Sequence, residues 1–198
     1  MATIDRELIQ KLRDMTGLGL MDCRKALEET GGDLQKAIEL LRKKGAAVAA
    51  KRASKETAEG IVQAYIHPGS QLGVLVEINC ETDFVARTDD MKQFANDLCL
   101  HIAALSPLYL APENVDPKFL EHEKQILKDQ LADSGKPEKI LDQIVEGKVN
   151  KLYSDICLLK QQWVKNDQLT VEQVIEELMA KTGERVQIKR FARFEIGS

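Results

Sequence analysis

Apolar positions recur at helical spacing through the first fifty residues. Ile4, Leu8, Leu12 and Met15 fall four, four and three apart, one stripe of a 3.6-residue period. That helix is predicted to stop at Gly17, because glycine tolerates the left-handed closing conformation. A second helix is predicted over about Met21–Thr30, stopping at Gly31-Gly32. Asp33 then caps a third, whose Leu34, Ala37, Ile38 and Leu41 face one way. A core of about 45 residues is small, so this unit is expected to draw stability from its neighbour. The basic, alanine-rich stretch Arg42–Lys55 follows. It reads as a helical connector, either a solvated linker or a nucleic-acid contact.

The period then changes to two. In Ile61–His67, Val62, Ala64 and Ile66 alternate with Gln63 and Tyr65. In Leu72–Cys80, Leu72, Val74, Val76, Ile78 and Cys80 share a face. Pro68-Gly69-Ser70 lies between them as a turn, so an antiparallel hairpin is predicted. A third strand is predicted at the C-terminus. There Val186, Ile188, Ala192, Phe194 and Ile196 share one face, interrupted by Arg190. Arg185, Gln187, Lys189, Phe191, Arg193 and Glu195 share the other, a face too basic for a core. One side of the sheet should therefore meet solvent or a partner.

Helices fill the interval. One carries Met91, Phe94, Leu98, Ile102 and Leu105 and ends before Pro107. Another begins at Asp116-Pro117 and ends near Gly135. A third begins at Pro137 and carries Leu141, Ile144, Val145, Val149 and Leu152. Joined through Ser134–Pro137, these two predict an antiparallel helical hairpin over about 117–152. A last helix begins at Thr170, with Gln173 at capping-box spacing, and ends at Thr182-Gly183. The fold class is thus α+β and mainly helical, with a three-stranded antiparallel sheet. The expected organisation is a three-helix domain over 1–45, a basic helical linker over 46–58 and an α+β core over 59–198.

Composition narrows the function. Residues 1–55 hold 12 Lys/Arg against 8 Asp/Glu. The remainder holds 16 against 24, and the whole chain carries −4. Bulk charge does not point to direct nucleic-acid binding, and aromatics, at 5%, are too few for a base-stacking platform. No apolar run approaches the ~20 residues of a membrane span. The first residues carry no signal pattern, so a reducing, cytoplasmic setting is expected. Cys23, Cys80, Cys99 and Cys157 are dispersed, with only His67, His101 and His122 to join them. They read as reduced core thiols rather than metal ligands. No nucleophile elbow, phosphate loop or zinc-protease helix is present, and Asp89-Asp90 point apart on a helix with Asp89 a plausible cap. Neither an enzyme nor a cofactor is expected.

Two segments stand out. Thr16–Met21 sets Leu18, Leu20 and Met21 on a glycine-rich turn, where they either dock a partner or pack inward. Asn79–Arg87 places Phe84 beside Asp83 at a strand-to-helix turn. Either Phe84 plugs the local core and Asp83 caps the next helix, or the pair is presented outward.

The motif Thr82-Asp83-Phe84-Val85 resembles the elongation factor Ts family, the guanine-nucleotide exchange factors for elongation factor Tu. So do Met15–Leu27, Gly73–Ala86, Glu146-Gly147 and Arg190–Glu195, which follow in the family's order across essentially the whole chain. The resemblance implies an N-terminal domain of the ubiquitin-associated type. Arg13, Leu20 and Met21 would dock on the partner's nucleotide-binding domain. Thr82, Asp83, Phe84 and Val85 would perturb its magnesium site, with Phe84 wedged between partner helices. His67 would lie near its third domain. The partner would be bound as its GDP form and nucleotide-free. The chain has room for one core module where many members carry two, so it resembles the short form, in which two protomers associate; the C-terminal strand and its sheet are the candidate dimer surface. A bacterial-type cytoplasmic location is implied, or an organellar matrix after processing. The alternative functions are a ubiquitin-type binder built on the N-terminal helices and an RNA- or ribosome-binding module using Arg42–Lys55 and the basic strand face.

Overall fold

The computed structural model describes residues 4–131 and 137–197. They group into two compact units. The first comprises the chain through Gln63, Val76–Asp97 and Gln173–Lys189. The second comprises Ala64–Leu75, Leu98–Glu172 and Arg190 onward.

Three helices open the first unit: α1 (Arg6–Thr16), α2 (Leu20–Glu29) and α3 (Leu34–Arg52). The Asp5 carboxylate accepts the Glu7 amide at 3.1 Å and caps α1. Gly17 closes α1 at φ 67°, its amide donating to the Arg13 carbonyl at 2.7 Å. Asp33 caps α3 through the Lys36 amide at 3.1 Å. Ile9, Leu12, Cys23, Ala26, Leu27, Ala37 and Leu41 form a buried cluster between them. The expected stripe holds for Leu12, which is buried, and for Ile4 and Leu8, which pack against the same cluster; Met15 is exposed instead, and Ile9 takes a buried place. The basic stretch is helical as far as Arg52. Helix α3 there packs on α8 (Val171–Thr182), where a side chain at Gly45 would meet Ala180 and the Glu176 carbonyl. Arg42 pairs with Glu177 at 3.3 Å across the same contact.

The sheet has strands β1 (Glu59–Ile66), β2 (Leu72–Cys80) and β5 (Val186–Glu195), in the order β1-β2-β5. The β1–β2 turn closes with the His67 amide on the Leu72 carbonyl at 2.8 Å. At the other edge Ile196 donates to Gln71 at 2.9 Å while Arg185 lies beside Glu81, so β2 and β5 run antiparallel. Val74, Val76, Ile78 and Cys80 of β2 are buried, as their alternation predicts. The outer strands depart from expectation. Val186 and Ile188 are buried, but beyond Arg190 the pattern inverts: Phe194 and Ile196 are 72% and 75% exposed. Arg193, expected on the open face, is instead largely covered. Its Nη1 bonds Glu195 at 2.7 Å and its Nη2 the Ala103 carbonyl at 3.4 Å, which offsets part of the loss of water, while its buried Nε has no hydrogen-bond partner among the described residues. In β1, Val62 and Ile66 are likewise exposed.

Between β2 and the C-terminal elements lie α4 (Asp83–Ala86), α5 (Asp89–Leu105), α6 (Pro117–Leu131) and α7 (Glu138–Ile156). Along α5, Met91, Phe94, Leu98 and Ile102 are buried as expected, whereas Leu105 is exposed. Asp116 accepts the Lys118 amide at 3.0 Å where α6 begins. Lys128 near the end of α6 meets Asp142 near the start of α7 at 3.6 Å, so the two helices run antiparallel. The expected end near Gly135 and the joining turn Ser134–Lys136 lie outside the described residues. A short hairpin, β3 (Gln162–Trp163) with β4 (Asn166–Thr170), was not legible in the sequence, because β3 has only two residues. Among the described residues no helix is long and apolar enough to cross a membrane.

Candidate partner-binding sites

Strand β2 ends with Cys80 in the core, and the chain then turns into α4, a single helical turn. So short a helix has no stability of its own. It is held at three points. The Thr82 hydroxyl oxygen accepts the Val85 amide at 3.4 Å as an N-cap. Val85 and Ala86 are buried. The Cys80 thiol donates to the Thr82 carbonyl at 3.1 Å. Anchored in this way, α4 leaves Phe84 79% exposed. Phe84 is therefore not a core plug. Asp83 is not the cap either: Thr82 caps α4, and Thr88 rather than Asp89 accepts the Met91 amide at the start of α5. Asp83 instead pairs with Arg87 at 2.9 Å.

Two carboxylates brace the turn. Glu81 accepts the Arg185 amide at 2.6 Å and receives Arg52 Nη1 on both oxygens at 2.8 Å. The Arg185 amide, then the Arg52 guanidinium, hold its pKa below the ordinary carboxylate value. Glu184 accepts the Thr82 amide at 3.0 Å and the Thr82 hydroxyl at 2.6 Å. Glu184 was not legible in the sequence, since it stands about a hundred residues from Thr82 and belongs to no motif.

In the turn between α1 and α2, inward packing holds for Leu18 but not for Leu20 and Met21. Leu18 packs on the three-helix core. Leu20 and Met21 open α2 with 48% and 57% of their surface exposed, and Arg13 is exposed one turn before the end of α1. Met15, near the end of α1, is exposed as well. Lys181 lies against the turn: a Cβ at Gly17 would stand 3.1 Å from its Nζ, which pairs with Asp90 at 2.6 Å. The end of α8 thus supports both the Gly17 turn and the start of α5.

In the second unit, His67 is exposed at the β1–β2 turn, its Nδ1 2.9 Å from the Tyr65 hydroxyl. On the sheet, Ile66, Leu72, Leu75, Phe194 and Ile196 line an open apolar groove. His101 is fully buried, stacked on Trp163 at 5.2 Å. The Val164 amide donates to its Nδ1 at 3.2 Å, so the ring proton sits on Nε2 and is shared with Gln161 Oε1 at 3.0 Å. All four cysteines are buried free thiols. Burial pushes the thiols of Cys80 and Cys157 up, and that of Cys99 to about 11. Among the described residues no cluster of three or more His, Cys, Asp or Glu is arranged to hold a metal.

Residues 9–198 match the family model described as Elongation factor TS. A protein of Desulfosudis oleivorans named Elongation factor Ts is 50% identical over 197 residues, covering all of both chains. Proteins of the same name from Desulfitobacterium hafniense and Thermotoga petrophila are each 52% identical. The first match covers all of this chain and 91% of the relative, the second 98% and 96%.

Proposed function

The chain belongs to the elongation factor Ts family, the exchange factors of elongation factor Tu in translation elongation, and we propose that Phe84 delivers its exchange step. The observation that supports this is a large aromatic held in water on a braced one-turn helix. Moving a phenylalanine side chain from water into an apolar site gains about 1.5–3 kcal/mol. Arg13, Leu20 and Met21 dock on the nucleotide-binding domain of elongation factor Tu. The Thr82–Val85 turn then brings Phe84 between helices that support the magnesium shell, with Asp83 holding the insertion. His67 contacts the partner's third domain.

Magnesium offsets the charge of the bound phosphates, so disturbing its shell loosens GDP. Coupling between two ligands is reciprocal. A factor that weakens nucleotide binding is itself expelled by the nucleotide that enters next. The supply of GTP therefore sets the direction. No bond changes in this factor, so it acts by binding rather than as an enzyme, and it needs no cofactor of its own.

The exposed sheet groove makes a second protomer the natural occupant, giving a homodimer in a bacterial-type cytoplasm. An RNA-binding role for Arg42–Lys55 is less well supported, because Arg42, Lys44 and Arg52 are each paired with a glutamate. Release of fluorescent GDP from elongation factor Tu tests the central step. Phe84→Ala is expected to slow catalysed release by at least tenfold; a release rate equal to that of the unaltered factor would remove Phe84 from the mechanism.

A further inference from the structure

We propose that Glu184 is a positioning residue for nucleotide exchange, fixing through Thr82 the turn that presents Phe84. The assignment rests on the role of Phe84 given above. Its basis is geometric. One carboxylate takes two hydrogen bonds from one residue, the Thr82 amide on Oε2 at 3.0 Å and the Thr82 hydroxyl on Oε1 at 2.6 Å. Hydrogen bonds to an ionised acceptor are shorter and stronger than neutral ones. The hydroxyl is used twice, since while its hydrogen is given to Glu184 its oxygen accepts the Val85 amide. Glu184 therefore orients the very group that caps α4.

The segment carrying Glu184 is tied down independently. Gly183 follows α8, its amide bonded to the Met179 carbonyl at 2.9 Å. The next residue, Arg185, donates its amide to Glu81 and its guanidinium to the Lys55 carbonyl, both at 2.6 Å. Adjacent residues of one segment thus grip adjacent residues of the other, Glu184 on Thr82 and Arg185 on Glu81. Without this grip a four-residue helix would sample many conformations, and Phe84 would have to be ordered at each encounter. A rigid turn removes that ordering loss before binding begins.

Exchange kinetics on elongation factor Tu loaded with fluorescent GDP separate positioning from simple support of the fold. Glu184→Ala and the milder Glu184→Gln are compared in the full-length chain, with urea unfolding to confirm that each is folded. Thr82→Ser and Thr82→Val test the same bond from the other side. The efficiency of exchange is expected to fall on the order of tenfold in Glu184→Ala and in Thr82→Val, as befits a lost charge-assisted bond, and to be largely kept in Thr82→Ser. In the Phe84→Ala background, Glu184→Ala should lower exchange no further, because Glu184 acts through Phe84. Unaltered exchange by Glu184→Ala, or an equal loss in both backgrounds, would overturn the assignment. If Glu184→Ala fails to fold, Glu184→Gln and Thr82→Val carry the same comparison. Unaltered exchange by Phe84→Ala alone would instead remove the role of Phe84, and that of Glu184 with it.

Discussion

Lys181 and Asp90 form an ion pair of 2.6 Å that joins the last turn of α8 to the first turn of α5. Both side chains are more than a third exposed, so solvent screens the pair and its own contribution to stability is small. Its consequence is positional. The extended lysine chain passes against Gly17, so the turn that carries Leu20 and Met21 rests on the end of α8.

Gly17→Ala should destabilise the protein by about 1–2 kcal/mol. The backbone at φ 67° disfavours any residue with a Cβ, and the new methyl would press on Lys181. The lysine end can swing away, so backbone strain supplies most of the effect. Urea unfolding should show a lower midpoint at unchanged slope; an unchanged midpoint would contradict the strain.

Leu20→Ala with Met21→Ala should leave stability within about 0.5 kcal/mol per site, because both side chains are substantially exposed. Affinity for nucleotide-free elongation factor Tu should fall by about tenfold or more, as for apolar anchors at an interface. Calorimetric titration measures this, and unchanged affinity would take these residues out of the docking surface.

Light scattering should report about twice 22.2 kDa for the unaltered chain. Phe194→Asp places a charge on an exposed apolar position and should return the mass to one protomer without unfolding it. A monomer at all micromolar concentrations would exclude the sheet groove as a dimer face.

Stability should fall as pH drops below about 6.5. Burial, partly offset by the bond to Gln161, holds the His101 pKa below that ordinary value. The unfolded chain therefore takes up a proton that the folded chain refuses, and stability rises with pH between the folded value and 6.5 before levelling. His101→Gln should flatten the dependence in urea midpoints measured from pH 5.5 to 7.5. An equal slope in that variant would assign it to other groups.

Local pattern sufficed for several elements whose determinants are local. The helix ends at Gly17 and Asp33, the hairpin at Pro68–Ser70 and the buried face of β2 all depend on residues within a few positions of each other. The candidate residues Thr82–Val85 were legible as a motif, but their alternatives were not separable there. Outward Phe84 and inward Phe84 have the same sequence. Their difference lies in whether neighbouring elements leave the side chain covered.

The reversal along β5 shows the same limit. Alternation marks two faces but not which is covered at each end, and Arg193 is covered where Glu195 and the Ala103 carbonyl meet its two terminal nitrogens.

By itself, then, the sequence determined the long helices and the three strands of the main sheet, most of the cores of α1–α3 and β2, and membership in a family of exchange factors. Only the tertiary structure decided that Phe84 stands in water, that Leu18 turns inward while Leu20 and Met21 do not, and that Glu184 grips Thr82. Helix caps and periodicity are short-range interactions written in neighbouring residues. Exposure and ion pairing depend on segments that meet only when the chain has folded, and no residue spacing encodes which will meet.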